Sequence, residues 1–154
     1  MLRVDVRALR DGAVATDASV GPDDTAFKGL DLHLVGPVEV TGAMQGAGPG
    51  TYRWVGRLRG AVKGECARCL AEVVTRFETP AEALYTTSPE TADDPGVYLL
   101  PEPVAVIDLT DAVREEVALA TPGYPLCRPD CAGLCPRCGA DLNLGPCGCA
   151  RSAS

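Results

Sequence analysis

The stretch from Cys127 to Cys149, CRPDCAGLCPRCGADLNLGPCGC, holds six cysteines within 23 residues. Two more, Cys66 and Cys69, lie upstream in the segment GECARCL, so eight cysteines form two sets of four. A structural zinc ion takes four soft ligands in a tetrahedron, and two cysteines two residues apart on a tight turn can offer both sulfurs to one ion. The spacing therefore predicts a small zinc-ribbon-like tail attached to a larger domain.

We assign a first metal site, the tail site, to the end of this stretch. The segment from Cys135 to Gly139 suits a tight turn, because its proline presets the bend and its glycine permits a positive φ. A loop of this size has almost no apolar core, so metal binding should supply on the order of 10 kcal/mol of its folding free energy, and the metal-free tail should be disordered. The expected ligands are Cys135, Cys138, Cys147 and Cys149.

A second metal site, the joint site, would use the remaining four cysteines: Cys66, Cys69, Cys127 and Cys131. These lie on two segments far apart in sequence, so a shared ion would pin the tail to the preceding sheet. The spacing leaves another arrangement open, in which Cys127 or Cys131 binds the tail ion or stays free. The expected cofactor is thus one or two zinc ions.

Other cysteine chemistry also has to be weighed. A thiol-disulfide oxidoreductase carries Cys-x-x-Cys where a strand meets a helix, but the residues after Cys69 look like another strand. An iron–sulfur cluster also accepts four cysteines. Disulfides are less expected, because the alternating amino terminus does not resemble a secretory signal and cytoplasmic thiols are kept reduced. We therefore expect a cytoplasmic metal-binding protein.

Composition narrows the function classes. The chain has 154 residues, 46% apolar content and a net charge of −7, which suits one soluble domain that repels nucleic acid overall. No apolar run approaches the roughly 18 residues of a membrane span. The single histidine, His33, lies on the polar side of its segment, and no Ser, His and Asp arrangement can be assembled. We expect a non-enzyme with no small-molecule substrate.

Four stretches alternate apolar and polar residues with the period of half-buried strands. They cover residues 2–8, 30–41, 51–65 and 72–85, and Pro80 marks the last as an edge or a bend. The glycine-rich residues 42–50 suggest a long hairpin loop between the second and third strands. Residues 86–103 suggest an acidic surface loop broken by a short apolar segment.

One helix is expected over residues 108–120, where Leu109, Val113 and Val117 share a stripe and Pro122 follows the end. The predicted fold class is therefore α+β, a mostly antiparallel sheet or partly closed barrel with one C-terminal helix. Residues 1–121 would form the core domain, 122–150 the cysteine-rich tail, and 151–154 a disordered end.

Basic residues concentrate on one strand. Between Arg53 and Arg76 lie six basic and only two acidic residues, although the whole chain is acidic. An ordinary solvated strand face would explain this pattern, and so would a patch that binds phosphate or an acidic partner. The candidate contact residues for RNA or another partner are Arg53, Arg57, Arg59, Lys63 and Arg68.

Three segments together resemble the YceD family of bacterial proteins, in its branch with a cysteine-rich tail. They are ECARCL from Glu65 to Leu70, the stretch from Asp108 to Cys127 containing REE at 114–116, and CAGLCPRCGADLN from Cys131 to Asn143. The likeness covers roughly residues 60–150. Residues before 60 match only in their alternation.

This resemblance implies a factor in ribosome biogenesis, because the family is associated with accumulation of large-subunit (23S) ribosomal RNA. The implied partners are ribosomal RNA or a large-subunit ribosomal protein. Two other functions stay open at the level of sequence: a thiol redox protein using Cys66 and Cys69, and a zinc-ribbon adaptor that binds another protein through its tail and does not bind RNA.

Overall fold

A computed structural model describes residues 2–149, so the predicted disordered end at 151–154 lies outside the described residues. Three long strands form the centre of the fold: β5 (Val38–Gly48), β6 (Thr51–Glu65) and β7 (Glu72–Thr86). The other elements are short, and the remaining strands are β1 (Arg3–Asp5), β2 (Val14–Ala15), β3 (Ala18–Val20), β4 (His33–Leu34), β8 (Val97–Leu99) and β9 (Val106–Asp108), with one helix, α1 (Thr110–Ala120).

The strands form one large sheet and one small one. In the large sheet the order is β2, β5, β6, β7, β8, with β3 also pairing with β5 and β4 with β6. All these pairs are antiparallel except that of β7 with β8, while β1 pairs antiparallel with β9 in the two-stranded sheet. The α+β prediction is confirmed, and the sheet does not close into a barrel.

The prediction of a long loop at residues 42–50 is wrong. Strand β5 continues through its glycines and pairs with β6 as far as the Gly48 and Thr51 pair, which leaves a tight turn at Pro49 and Gly50. Packing explains the difference: Gly42 and its partner Gly56 both lie close to the ring of Trp54, where a side chain would collide. Glycine here makes room for the core and does not mark a turn.

The first two predicted strands are shorter than expected. Strand β1 ends at Asp5, whose carboxylate accepts a hydrogen bond from the backbone N–H of Arg7 (2.8 Å) and starts a 3₁₀ helix, Val6–Asp11. In the second stretch, Gly36 has φ 82° and Pro37 follows, so the chain breaks between β4 and β5. The third stretch matches β6 from end to end.

The helix begins at Thr110, two residues later than predicted. Val106–Asp108 is already strand β9, and the Asp108 carboxylate accepts a hydrogen bond from the N–H of Thr110 (2.9 Å) at the helix start.

The fourth predicted strand is confirmed as β7. Its outer edge is covered by β8 only at residues 84–86, so Pro80 lies on an open edge as predicted.

The core lies between the inner face of the large sheet and α1. Met44, Trp54 and Leu58 project from the central strands and are fully buried, as is Val113 on the helix. The indole N–H of Trp54 donates to the hydroxyl of Thr16 at 2.8 Å, which satisfies the polar end of this large side chain. This core fixes the β6–β7 hairpin, whose connecting turn carries Cys66 and Cys69.

Replacing Gly56 by Ala should destabilise the protein by about 1–3 kcal/mol, because overpacking forces shifts in a filled core. The added Cβ would lie 2.6 Å from Cζ2 of Trp54 and 2.8 Å from the carbonyl oxygen of Thr41. Gly46→Ala on the same hairpin is the matched control, since no atom lies within 4 Å of its added Cβ. Urea unfolding at equal metal content measures both, and equal stability of the two variants would contradict the packing argument.

Candidate metal centres

The turn between β6 and β7 presents the first pair of cysteines. The N–H of Cys66 donates to the carbonyl of Ala71 at 2.8 Å, and the N–H of Leu70 donates back to the carbonyl of Cys66 at 2.9 Å. Leu70 has φ 63°, the left-handed conformation in which a non-glycine residue is strained. This tight turn directs the side chains of Cys66 and Cys69 to one point.

The turn at Cys135 has the same backbone hydrogen bonds as the turn at Cys66. The N–H of Cys135 donates to the carbonyl of Ala140 at 2.8 Å, and the N–H of Gly139 donates to the carbonyl of Cys135 at 2.9 Å. Gly139, at the position equivalent to Leu70, has φ 73°. The protein thus builds one type of cysteine turn twice, once on the sheet and once in the tail.

The sulfurs of the joint site lie together. All four Sγ atoms are within 4.8 Å of one another. The Sγ atoms of Cys66 and Cys131 are 3.7 Å apart, and those of Cys69 and Cys127 are 3.6 Å apart. A disulfide needs about 2.0 Å. Zn–S bonds of about 2.3 Å give a tetrahedron with S–S edges of about 3.8 Å, so the spacing suits one four-coordinate ion.

Backbone and side-chain contacts hold the tail against the sheet at the joint site. The N–H of Ala67 donates to the carbonyl of Pro125 at 2.8 Å, and the guanidinium of Arg68 donates to the carbonyl of Cys131 at 2.9 Å. A Cβ on Gly133 would lie 3.3 Å from the carbonyl oxygen of Arg68, so the tail segment and the hairpin turn are in close contact. The joint site is therefore supported by direct contacts as well as by its sulfurs.

The sulfurs of the tail site, from Cys135, Cys138, Cys147 and Cys149, also lie within 4.8 Å of one another. Between its two pairs of cysteines the chain forms a 3₁₀ helix, Leu142–Leu144, preceded by a short antiparallel bridge between Leu134 and Asp141. Leu144 is 88% exposed. The tail therefore has little apolar packing of its own, and its shape depends on hydrogen bonds and on whatever holds the four sulfurs.

Backbone N–H groups favour the thiolate form of the first cysteine in each turn. The N–H of Cys69, followed by weaker contributions from neighbouring N–H groups, lowers the pKa of Cys66 to about 6. In the tail the N–H of Cys138 is the main cause that lowers the pKa of Cys135 to about 6. Each turn thus offers one sulfur that ionises easily.

In each group at least one other sulfur ionises less readily. Interaction with the sulfur of Cys131 raises the pKa of Cys127 to about 12, and interaction with the sulfur of Cys138 raises the pKa of Cys149 to about 12. Four thiolates cannot share so small a volume without a compensating charge. A divalent cation would supply that charge, because it stabilises the thiolate form of every ligand.

The family described as large ribosomal RNA subunit accumulation protein YceD matches residues 55–154, which include both groups of cysteines. The chain belongs to the YceD family. The match covers more than half of the chain and confirms the resemblance seen in its three segments. Strand β7, helix α1 and the tail lie within the matched residues, as does β6 from Val55 onward.

Among curated proteins this chain is similar to uncharacterized proteins of mycobacteria. An uncharacterized protein of Mycobacterium tuberculosis is 38% identical over 87 residues, which is 54% of this chain and 41% of the relative. One of Mycobacterium leprae is 31% identical over 86 residues, 53% of this chain and 39% of the relative. The chain thus spans about two fifths of these relatives. No solved structure matches the chain.

The basic strand of this YceD protein does not form an unopposed positive patch. Arg53 pairs with Glu82 at 2.7 Å and Lys63 with Glu72 at 3.0 Å, while Arg57 and Arg59 share Glu78 at 2.6 and 3.2 Å. Of the five predicted contact residues, Arg68 is the exception, because it binds the carbonyl of Cys131.

The outward-facing positions of β5, β6 and β7 carry five basic and five acidic residues. The local excess of positive charge read from the sequence therefore disappears once the strands pair. The basic residues are Arg53, Arg57, Arg59, Lys63 and Arg76, and the acidic residues are Glu39, Glu65, Glu72, Glu78 and Glu82.

Sequence reasoning also missed Asn143. Its side chain lies among the tail residues but contacts the joint site, where its amide nitrogen is 3.3 Å from Sγ of Cys131. Only its place between two cysteine pairs hinted at such a role.

Within residues 2–149, no helix is long and apolar enough to span a membrane.

Replacing Gly139 by Ala should weaken metal binding at the tail site by about 5- to 30-fold, since a left-handed conformation costs a side chain about 1–2 kcal/mol. Space is not the cause, because no atom lies within 4 Å of the added Cβ. Gly148→Ala is the matched control: it lies between two ligands in open space, and its φ is outside the left-handed region. Competition with a chromophoric chelator measures the affinities, and equal values for the two variants would refute the argument.

Proposed function

We propose that this protein is a cytoplasmic, non-enzymatic, zinc-containing factor that supports accumulation of large-subunit ribosomal RNA. The observation that carries the proposal is the family match over residues 55–154, the part of the chain that contains both groups of four cysteines. The family supplies the connection with the large subunit. The cysteine geometry supplies the role of the metal, which is to build the tail and fasten it to the sheet.

Zinc suits both groups better than a multi-iron cluster. Ligands of a cluster bind different irons and are spread apart, whereas sulfurs within 4.8 Å of one another fit the corners of a single tetrahedron. Each group supplies four cysteines, so a tetrahedral ion would keep no open position for a substrate. A closed site of this kind is structural and not catalytic.

A redox role for Cys66 and Cys69 is less well supported. The turn that holds them leads into β7 and not into a helix, so no helix dipole activates an attacking thiol. Cys66 is fully buried, which blocks the access that disulfide exchange requires. A buried cysteine beside three other cysteines is better explained as a metal ligand than as a redox thiol.

The purified protein should contain two zinc ions per chain. Cys147→Ser with Cys149→Ser should reduce the content to one, and Cys66→Ser with Cys69→Ser should also remove one. Elemental analysis together with protein quantification measures the ratio. Iron in place of zinc, or a protein without metal that reduces disulfides, would contradict the proposed role of the cysteines.

The charge distribution favours a ribosomal protein over bare RNA as the partner. The chain carries a net charge of −7, and two zinc ions held by eight thiolates would bring this to about −11. The outer sheet face is balanced, so it offers no excess charge to phosphate. We assign the contact surface to this face and the adjoining cysteine turn, where Arg53, Arg57, Arg59, Lys63 and Arg68 alternate with acidic residues.

Depletion of the protein should lower the amount of large-subunit ribosomal RNA relative to the small-subunit RNA. Wild-type protein should restore the ratio, and the Cys66→Ser, Cys69→Ser variant should not, because its tail is no longer fastened to the sheet. RNA quantification and sucrose-gradient profiles give the readout. An unchanged ratio after depletion would remove the proposed function.

Neutralising Glu78 and Glu82 distinguishes the two classes of partner. Glu78→Gln with Glu82→Gln releases the paired arginines and removes two negative charges from the face. If the partner is a basic ribosomal protein, its binding should weaken or stay unchanged. If RNA is the partner, the variant should bind it more tightly and with steeper salt dependence, and that result would overturn the assignment to a protein.

A further inference from the structure

We propose that Asn143 is a positioning residue that couples the two metal sites, so that metal bound at the tail site raises the metal affinity of the joint site. This inference rests on the proposed metal binding and goes beyond it. Asn143 is not a metal ligand and lies in the tail site's own loop, between Cys138 and Cys147. Its side chain nevertheless makes its contacts at the joint site.

Both polar atoms of the Asn143 side-chain amide form hydrogen bonds with residues of the joint-site segment. Its Oδ1 accepts hydrogen bonds from the guanidinium of Arg128 at 2.7 Å and from the N–H of Ala132 at 2.8 Å. Its Nδ2 donates to Sγ of Cys131 at 3.3 Å. These three bonds grip the segment that carries Cys131, before and after the ligand, together with the ligand atom itself.

The chemistry of the contact requires an amide. A neutral N–H donor stabilises a sulfur that carries negative charge, and it also fixes the direction of that sulfur. An aspartate at this position could still accept the two N–H bonds, but its second oxygen would place a like charge beside the sulfur.

The position of Asn143 depends on the tail site. It lies in the 3₁₀ helix Leu142–Leu144, whose start is fixed by a bond from the N–H of Asn143 to the carboxylate of Asp141 (2.9 Å). A second bond joins the N–H of Leu142 to the carbonyl of Gly133 (2.9 Å). Leu144 is exposed, so packing adds little. Cysteine ligands flank this 3₁₀ helix on both sides. An ion at the tail site therefore fixes the helix and places the Asn143 amide at the joint site.

Coupling of this kind is reciprocal: if tail metal strengthens the joint site, joint metal strengthens the tail site by the same factor. Partners that orient a metal ligand are typically worth about 10- to 100-fold in metal affinity. We therefore expect loss of the tail ion to weaken the joint site by about 10-fold or more, and we expect most of that factor to pass through Asn143.

A double-mutant cycle on the full chain tests the coupling. Zinc affinity of the joint site is measured under reducing conditions by competition with a chromophoric chelator. Four proteins are compared: the wild type, Cys147→Ser with Cys149→Ser to abolish the tail site, Asn143→Ala, and the combination. Loss of the tail site should weaken the joint site about 10-fold or more in the wild-type background and about 3-fold or less in the Asn143→Ala background.

Two further variants separate positioning from a general loss of structure. Asn143→Asp, nearly identical in shape, should weaken the joint site about 10-fold or more and alter the visible spectrum of bound Co²⁺. Leu144→Ala, on the same turn but exposed, should leave both properties unchanged. A weakened joint site in Leu144→Ala equal to that in Asn143→Asp would overturn the role assigned to the amide.

The outcomes separate this inference from the proposed function. Equal joint-site affinity in all four proteins of the cycle, with two zinc ions bound by the wild type, would overturn the coupling and leave the metal sites intact. Failure of the wild type to bind zinc at the joint site would overturn both. An equal loss on abolishing the tail site with and without Asn143 would show coupling by another route and would overturn the role of this residue.

Discussion

The structure depends on the meeting of four cysteine sulfurs at the end of the β6–β7 hairpin. The Sγ atoms of Cys66 and Cys131 lie 3.7 Å apart although 65 positions separate them in the chain. Closing so long a loop costs conformational entropy, and placing four ionisable thiols together adds electrostatic repulsion. Direct contacts such as that of Arg68 with the carbonyl of Cys131 offset part of this cost, and a shared cation would offset the rest.

Apolar packing is concentrated in the sheet and α1 and is sparse in the tail. The sheet and α1 have an apolar core built around Trp54, so the hairpin has apolar packing that does not involve the tail. The tail has no comparable core, and Leu144, its most exposed apolar side chain, packs against little. Its conformation therefore depends on both groups of cysteines and on the bonds of Asn143 that connect the joint site to the loop of the tail site.

Sequence alone predicted the parts governed by local patterns. Alternation in residues 51–65 fixed β6 from end to end, and the apolar stripe fixed the helix to within two residues. Prediction failed where contacts between residues distant in sequence determine the structure. Gly42 indicated a loop because its contact with Trp54 is invisible in the local pattern, and the basic strand looked unopposed because Glu78 and Glu82 become its neighbours only through strand pairing. The contact of Asn143 escaped for the same reason.

The two cysteine turns share one backbone conformation but differ in the residue at its left-handed position. Both use the same pair of hydrogen bonds, yet the left-handed position is Leu70 on the hairpin and Gly139 in the tail. Backbone strain persists only where surrounding structure determines the conformation. Strands β6 and β7 fix the hairpin turn from both sides, so a leucine is tolerated there. Only the single bridge between Leu134 and Asp141 flanks the tail turn. That turn therefore needs a residue that adopts this conformation without strain, and a bound metal would hold its geometry.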